Sequence, residues 1–159
     1  MNTVYLNGEY LPKDRATISV DDRGFLLSDG IYEVTPAYGG RLFRVAQHMG
    51  RLQNGLDELG INFDPTGLVE MHERLIATNG LDSDDVSIVY LQITRGAAPR
   101  THHFPPAGTA PTVYAFAQAY VRPELDRWKL GYAAITVPDQ RWARVDIKAI
   151  ALLPNVLAQ

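Results

Sequence analysis

The chain has no cysteine among its 159 residues, so neither a disulfide framework nor a thiolate zinc site can be built from it. It has no long apolar run: no segment approaches the roughly 18 uncharged apolar residues of a membrane span. Its start, MNTVYLNGEYLPKDR, lacks the basic region and apolar stretch of a secretory leader. Positive charge is also in short supply. The formal net charge is −3, and basic residues form nothing longer than isolated pairs such as Arg141 and Arg144, which argues against a polyanion partner. The motifs Gly-x-x-x-x-Gly-Lys-Ser/Thr, Gly-x-Gly-x-x-Gly, Gly-x-Ser-x-Gly and His-Glu-x-x-His are all missing. His102 and His103 are adjacent, face opposite sides of an extended chain and make a poor metal pair, so no metal is expected. These absences lead to the expectation of a soluble, cytoplasmic protein that binds neither nucleic acid nor membrane.

Lysine is scarce rather than absent. The 15 basic residues divide into 12 arginines and three lysines, Lys13, Lys129 and Lys148. Lys13 lies in a Pro-Lys-Asp-Arg turn and Lys129 beside Trp128, both compatible with solvent. Lys148 stands in RVDIKAIALLPNVLAQ between Ile147 and Ala149, in a stretch that reads as protein interior. An unpaired ammonium there is unfavourable, so the residue deprotonates, finds a partner or does chemistry.

What is present reads as an α+β protein. With 46% apolar and 21% charged residues, the chain can bury a core of ordinary domain size. VYLNGEYL carries strand formers around Asn7-Gly8, a strong hairpin signal. ISVDDRGFLLSDG holds two acidic-glycine punctuation points, and IYEVTPAY runs through Gly39-Gly40 into RLF, a second hairpin, in which Pro36 marks an edge or bulged strand. Apolar positions recur at helical spacing from Val45 to Leu59 with Gly60 as C-cap, and again from Pro65 or Thr66 to Asn79-Gly80. The runs 86–96 and 112–120 predict paired central strands. Pro123 sits in a polar stretch, and LGYAAITVPD begins another strand. The expected organisation is a small α+β domain over 1–120, a linker over 121–126, and over 127–159 the start of a second unit too short to stand alone; the end reads as truncated, with a C-terminal helix docked on the first domain as the other reading.

Three stretches could carry chemistry. In TRGAAPRTHHFP, Arg100 and His102 lie two apart in a loop between strands and can point the same way as a carboxylate clamp; a solvated basic loop reads equally well. In SDGIYEV, Tyr32 offers a hydroxyl on an apolar body, although a strand tyrosine is most often packing. His48 and Arg51 are i, i+3 on one helix face and could meet at one site, or serve as surface residues. In RWARVDIKAI, Lys148 could be a Schiff-base nucleophile, whose plainest use is to hold pyridoxal phosphate, or a snorkelling or ion-paired lysine.

The blocks DDRGFLLSDGIYEV, FRVAQHMGRL, TRGAAPRTHHFP and RWARVDIKAIALLPNVLA, in this order, resemble the class IV aminotransferases, the fold-type IV pyridoxal phosphate enzymes. Within that family the Arg-Gly-x-x-Pro-Arg-x-His pattern at 95–102 and Asp-Ile-Lys after Arg-Trp are similar to those of the D-amino-acid aminotransferases. The resemblance implies the small N-terminal domain of that fold followed by the truncated start of the larger one. It implies that Lys148 holds pyridoxal 5'-phosphate and later moves the substrate α-proton, that Arg51 binds the cofactor phosphate with His48 beside it, and that Tyr32, Arg100 and His102 hold the substrate carboxylate. It further implies a homodimer and ping-pong transfer of an amino group from a D-amino acid such as D-alanine to a 2-oxo acid such as 2-oxoglutarate. Branched-chain or (R)-amine transamination, or an inactive truncated chain, are the alternatives. Family members are longer and supply the partner of the cofactor's ring nitrogen after the lysine, so the 159 residues alone are expected to be inactive.

Overall fold

The computed structural model describes residues 2–136 and 144–157. Six strands form one antiparallel sheet in the order β2-β1-β6-β5-β3-β4. Strands β1 (Thr3–Leu6) and β2 (Glu9–Pro12) flank Asn7-Gly8, both at positive φ, as a tight hairpin requires. β3 (Gly30–Tyr38) is followed by the two-residue β4 (Arg41–Leu42) and then helix α2 (Val45–Leu59), which ends at Gly60 in the left-handed region. Helix α3 (Leu68–Thr78) leads to β5 (Ser87–Thr94) and β6 (Thr112–Ala119), the two central strands.

The strands alternate, so the sheet has two unlike faces. Ile31, Val89, Leu91, Ile93, Val113 and Ala115 point to the face covered by α2 and α3, where Leu52, Leu56, Leu75 and Ile76 complete the core. Fully burying one such leucine contributes about 1.5–3 kcal/mol. The other face carries a half-buried aromatic stripe: Tyr32 stacks on Tyr90 with centroids 5.8 Å apart, and Tyr90 on Phe116 at 5.2 Å.

Several boundaries differ from the sequence expectation. Arg23–Leu27 form a short helix, α1, within the stretch read as turns; Asp22 caps it by accepting from the Gly24 N–H at 2.8 Å. α3 starts at Leu68 rather than near Pro65, because Gly67 at φ 85° interrupts the backbone. Residues 131–136 carry no strand, although LGYAAITVPD has strand-forming residues; among the described residues no strand pairs with them. The rest of that stretch, with Arg141 and Trp142, lies outside the described residues. Helix α4 (Leu125–Leu130) begins within the span read as linker. Helix α5 (Leu153–Leu157) leaves Leu153, Val156 and Leu157 exposed, where interior was expected.

Candidate active site

β3 organises the site. Its even-numbered residues turn their backbone N–H and C=O groups away from β5. At Pro36 this side needs no donor, and its carbonyl accepts from the Phe43 N–H at 2.8 Å. At the other end the same edge receives residues 148–150. The Tyr32 N–H donates to Lys148 O at 3.0 Å, and the Ile150 N–H donates to Gly30 O at 3.2 Å. Ile31 and Ala149 form a bridge here. Ile147 and Ala149 are buried, so alternation turns the half-buried Lys148 to the opposite, aromatic face. Its Nζ lies 3.8 Å from the centroid of the Tyr32 ring. The interior character of its neighbours and the placement of the lysine are thereby reconciled.

The residue after Tyr32 points to the other face. Glu33 is fully buried, yet it is a carboxylate under α2. Arg51 donates to it twice, from Nε to Oε1 at 2.6 Å and from Nη2 to Oε2 at 2.7 Å. His48, one turn earlier on the same helix, bonds Oε2 through Nδ1 at 2.8 Å. Burial alone would raise the Glu33 carboxyl; the hydrogen bonds from Arg51 and then from His48, with their charges, outweigh it and hold the group below the usual carboxylate range. Arg51 has 48% of its side chain exposed, so the outer part of its guanidinium remains open to solvent. Because Tyr32 and Glu33 are consecutive, Lys148 and Arg51 approach neighbouring points of the β3 edge from opposite faces of the sheet.

Arg100 and His102 lie exposed in the loop between β5 and β6. The pairing of Gly30 with Thr94 puts this loop at the same end of the sheet as Tyr32. Among the described residues, however, no hydrogen bond, ion pair or ring contact joins Arg100 or His102 to Tyr32 or Lys148. The structure thus brings together Tyr32 with Lys148, and His48 with Arg51 through Glu33, and leaves the loop pair apart. Among the described residues no group of three or more acidic or histidine side chains could hold a metal, and no helix is long and apolar enough to cross a membrane.

A family model described as amino-transferase class IV matches residues 30–159, beginning at the first residue of β3 and running through Lys148. The chain belongs to class IV of the amino-transferases. This class IV chain is 41% identical over 161 residues to a D-alanine aminotransferase of Staphylococcus epidermidis, covering 100% of the chain and 56% of that protein. It spans about half the length of the curated relatives it matches. Among solved structures, 4-amino-4-deoxychorismate lyase from Pseudomonas aeruginosa superposes with a TM-score of 0.76 at 24% identity, over 98% of this chain and 55% of that one. A hypothetical aminotransferase from Mycobacterium tuberculosis, in its α-ketoglutarate- and PMP-bound form, gives 0.62 at 22% identity over 74% and 39%. Both likenesses bear on the fold, which is that of class IV and mixes helices with the six-stranded sheet.

The class IV chain also uses residues that spacing and motif left unweighed. Glu33 sits on the apolar face of β3, between Ile31 and Thr35; a carboxylate in that alternation was the available signal. Asp29, which receives both Arg23 and Arg95, had a weaker one, since aspartate before glycine reads first as a turn. His72 is buried in the core, where its Nδ1–H donates to Leu68 O at 2.6 Å.

Proposed function

We propose that this chain forms part of a pyridoxal-phosphate-dependent transaminase that moves an amino group from a D-amino acid, D-alanine foremost, to a 2-oxo acid such as 2-oxoglutarate. The observation that carries the reading is Lys148, a primary amine pinned by backbone hydrogen bonds to the edge of β3 with its Nζ over Tyr32. The relative's D-alanine aminotransferase name, at 41% identity along the whole chain, supports the choice of substrate.

The chemistry of the two donors fits the two ends of the cofactor. An amine suits an aldehyde, and a guanidinium with an open outer edge suits a phosphate. Lys148 would hold the one and Arg51 the other, with Glu33 and His48 fixing the Arg51 rotamer. Bound there, pyridoxal phosphate supplies an electron sink that lowers the barrier to removing the substrate α-proton. The chain's own residues do the rest. Lys148 Nζ accepts that proton and returns it, Tyr32 walls one side of the amine with its ring, and Arg100 and His102 bind the substrate carboxylate from the loop. Serving one site this way requires the loop to meet substrate beyond the contacts of the single chain, which agrees with the homodimer that the family resemblance implies. A cytoplasmic enzyme completes the reading.

The test uses the full-length gene product. It is expected to produce pyruvate from D-alanine and 2-oxoglutarate, to prefer D-alanine over L-leucine and (R)-1-phenylethylamine, and to show a visible cofactor band that Lys148→Ala abolishes. Preference for L-leucine or the amine would overturn the substrate assignment, and an unchanged band in Lys148→Ala would overturn the role of the lysine.

A further inference from the structure

Behind the exposed pair Arg100 and His102 lies a buried three-residue cluster. Asp29, immediately before β3, has only 7% of its side chain exposed. Its Oδ2 accepts from Arg23 Nε and from Arg95 Nε, each at 2.7 Å, and its Oδ1 accepts from Arg95 Nη2 at 3.0 Å. Burial would raise the Asp29 carboxyl, but the two guanidiniums outweigh it and hold the group ionised below the usual range. One carboxylate thus faces two buried cations, and the surplus positive charge is directed at backbone carbonyls. Arg95 Nη2 donates to Leu59 O at 2.7 Å and Nη1 to Gly60 O at 3.2 Å, at the C-terminal end of α2, where the helix dipole favours a cation. Arg23 Nη1 donates to Thr101 O at 2.9 Å.

Thr101 is the residue between Arg100 and His102. The peptide that sets both side chains is therefore held by a guanidinium that is itself fixed by Asp29. Further contacts tie the same loop to the cluster: the Phe104 ring lies 4.1 Å from the Arg95 guanidinium carbon, Arg23 N–H donates to Gly96 O at 2.9 Å, and Ala98 N–H donates to Asp21 O at 3.2 Å. Asp29 also adjoins Gly30, whose carbonyl receives the lysine-bearing segment. A planar fork with donors in fixed directions can grip a carboxylate and a carbonyl at once; a lysine ammonium in its place cannot span both.

We infer that Arg23, locked by Asp29 and Arg95, is a positioning residue that sets the Arg100/His102 loop for recognition of the substrate carboxylate through its hydrogen bond to the Thr101 carbonyl. The inference rests on the reading of Arg100 and His102 as that clamp. It predicts that disturbing Arg23 impairs recognition of the carboxylate without impairing the chemistry at Lys148.

The experiment compares wild type, Arg23→Lys and Arg100→Ala in the full-length gene product. The half-reaction with D-alanine, and with D-alaninol, which has a hydroxymethyl group in place of the carboxylate, is followed by the cofactor absorbance. Cleavage by trypsin at Arg100–Thr101 is followed by mass mapping against the exposed Arg15 and Arg127. For Arg23→Lys the apparent Kd for D-alanine is expected to rise about tenfold with the limiting rate changed less than about threefold. Binding of D-alaninol should stay as in wild type, and cleavage after Arg100 should accelerate relative to the other two sites. Equal weakening of both donors, or acceleration at all arginines alike, would make Arg23 a general support of the fold and overturn the inference, as would no change at all. If Arg23→Lys does not fold, Phe104→Ala, which removes an exposed ring from Arg95, should show the same pattern at about threefold, and its absence there overturns the inference equally. Arg100→Ala separates the two readings: if it leaves D-alanine binding intact, the clamp itself is wrong, whereas if it weakens binding and Arg23→Lys does not, only the positioning role is.

Discussion

A glutamate stands where a core residue is expected. Glu33 shares its face of β3 with Ile31, Thr35 and Ala37 and is fully buried, so its charge persists only because Arg51 and His48 satisfy it. Glu33→Gln keeps the shape and removes the charge. Breaking a fully buried pair is worth about 3–5 kcal/mol; with Arg51 half in solvent, the expected loss is smaller, about 2 kcal/mol, read from chemical denaturation. The folded-state pKa of Glu33 lies below its unfolded value, so the unfolded chain binds the proton first as pH falls. The stabilisation is complete above the ordinary glutamate value of about 4.3 and disappears as pH drops through the lower folded value. Melting temperatures between pH 3 and 7 should therefore fall less steeply on the acid side for Glu33→Gln than for wild type. Parallel acid limbs would show that Glu33 does not carry this dependence.

At the scale of elements, what was legible in the sequence was what is local. The Asn7-Gly8 hairpin, the helix from Val45 to Gly60 and the paired central strands follow from turn chemistry and periodicity confined to a dozen residues. Pro36 read as marking an edge or bulged strand; β3 instead lies between β5 and the two-residue β4, and the proline is tolerated because it stands just before the β4 pairing, on the side of the strand away from β5. Helix α1 was not legible: five residues are too few to show a period, and it is held by Asp22 and by contacts from the Thr94–Gly96 region far along the chain. Lys148 was singled out by composition, but the edge of β3 that receives it could not be known before the fold. Close approach of α2 to β3 depends on Gly55, where a Cβ would meet Ile31 Cγ2 at 3.1 Å. Gly55→Leu is expected to push the helix off the sheet, with a loss of about 1–3 kcal/mol. For Gly55→Ala the gain in helix propensity of about 1 kcal/mol opposes the tight contact, leaving stability nearly unchanged. Denaturant midpoints of the two variants check this; equal midpoints would mean that the space beside Ile31 is not limiting.

At the scale of the molecule, the candidate site is assembled from three separate parts of the chain, and they are not equally fixed. β3 and α2 hold Tyr32, Glu33, His48 and Arg51 through the buried core. Residues 144–150 reach the sheet by an isolated bridge and two backbone hydrogen bonds, and among the described residues no hydrogen bond, ion pair or ring contact joins Arg100 or His102 to Tyr32 or Lys148. Tyr32, Tyr90 and Lys148 on the aromatic face are only half-buried, and Leu153 and Leu157 are exposed at 67% and 77%. Catalysis requires groups held near their productive geometry, and a misplacement of about 1 Å can slow a reaction about a hundredfold. The 159 residues by themselves should therefore unfold cooperatively, since the core under α2 and α3 is complete, yet form pyruvate from D-alanine and 2-oxoglutarate at least about a hundredfold more slowly than the full-length gene product. A coupled lactate dehydrogenase assay run beside a thermal melt separates the two properties. A folded 159-residue chain with turnover equal to that of the full-length product would mean that Tyr32, Arg51, Arg100, His102 and Lys148 come together without any further surface.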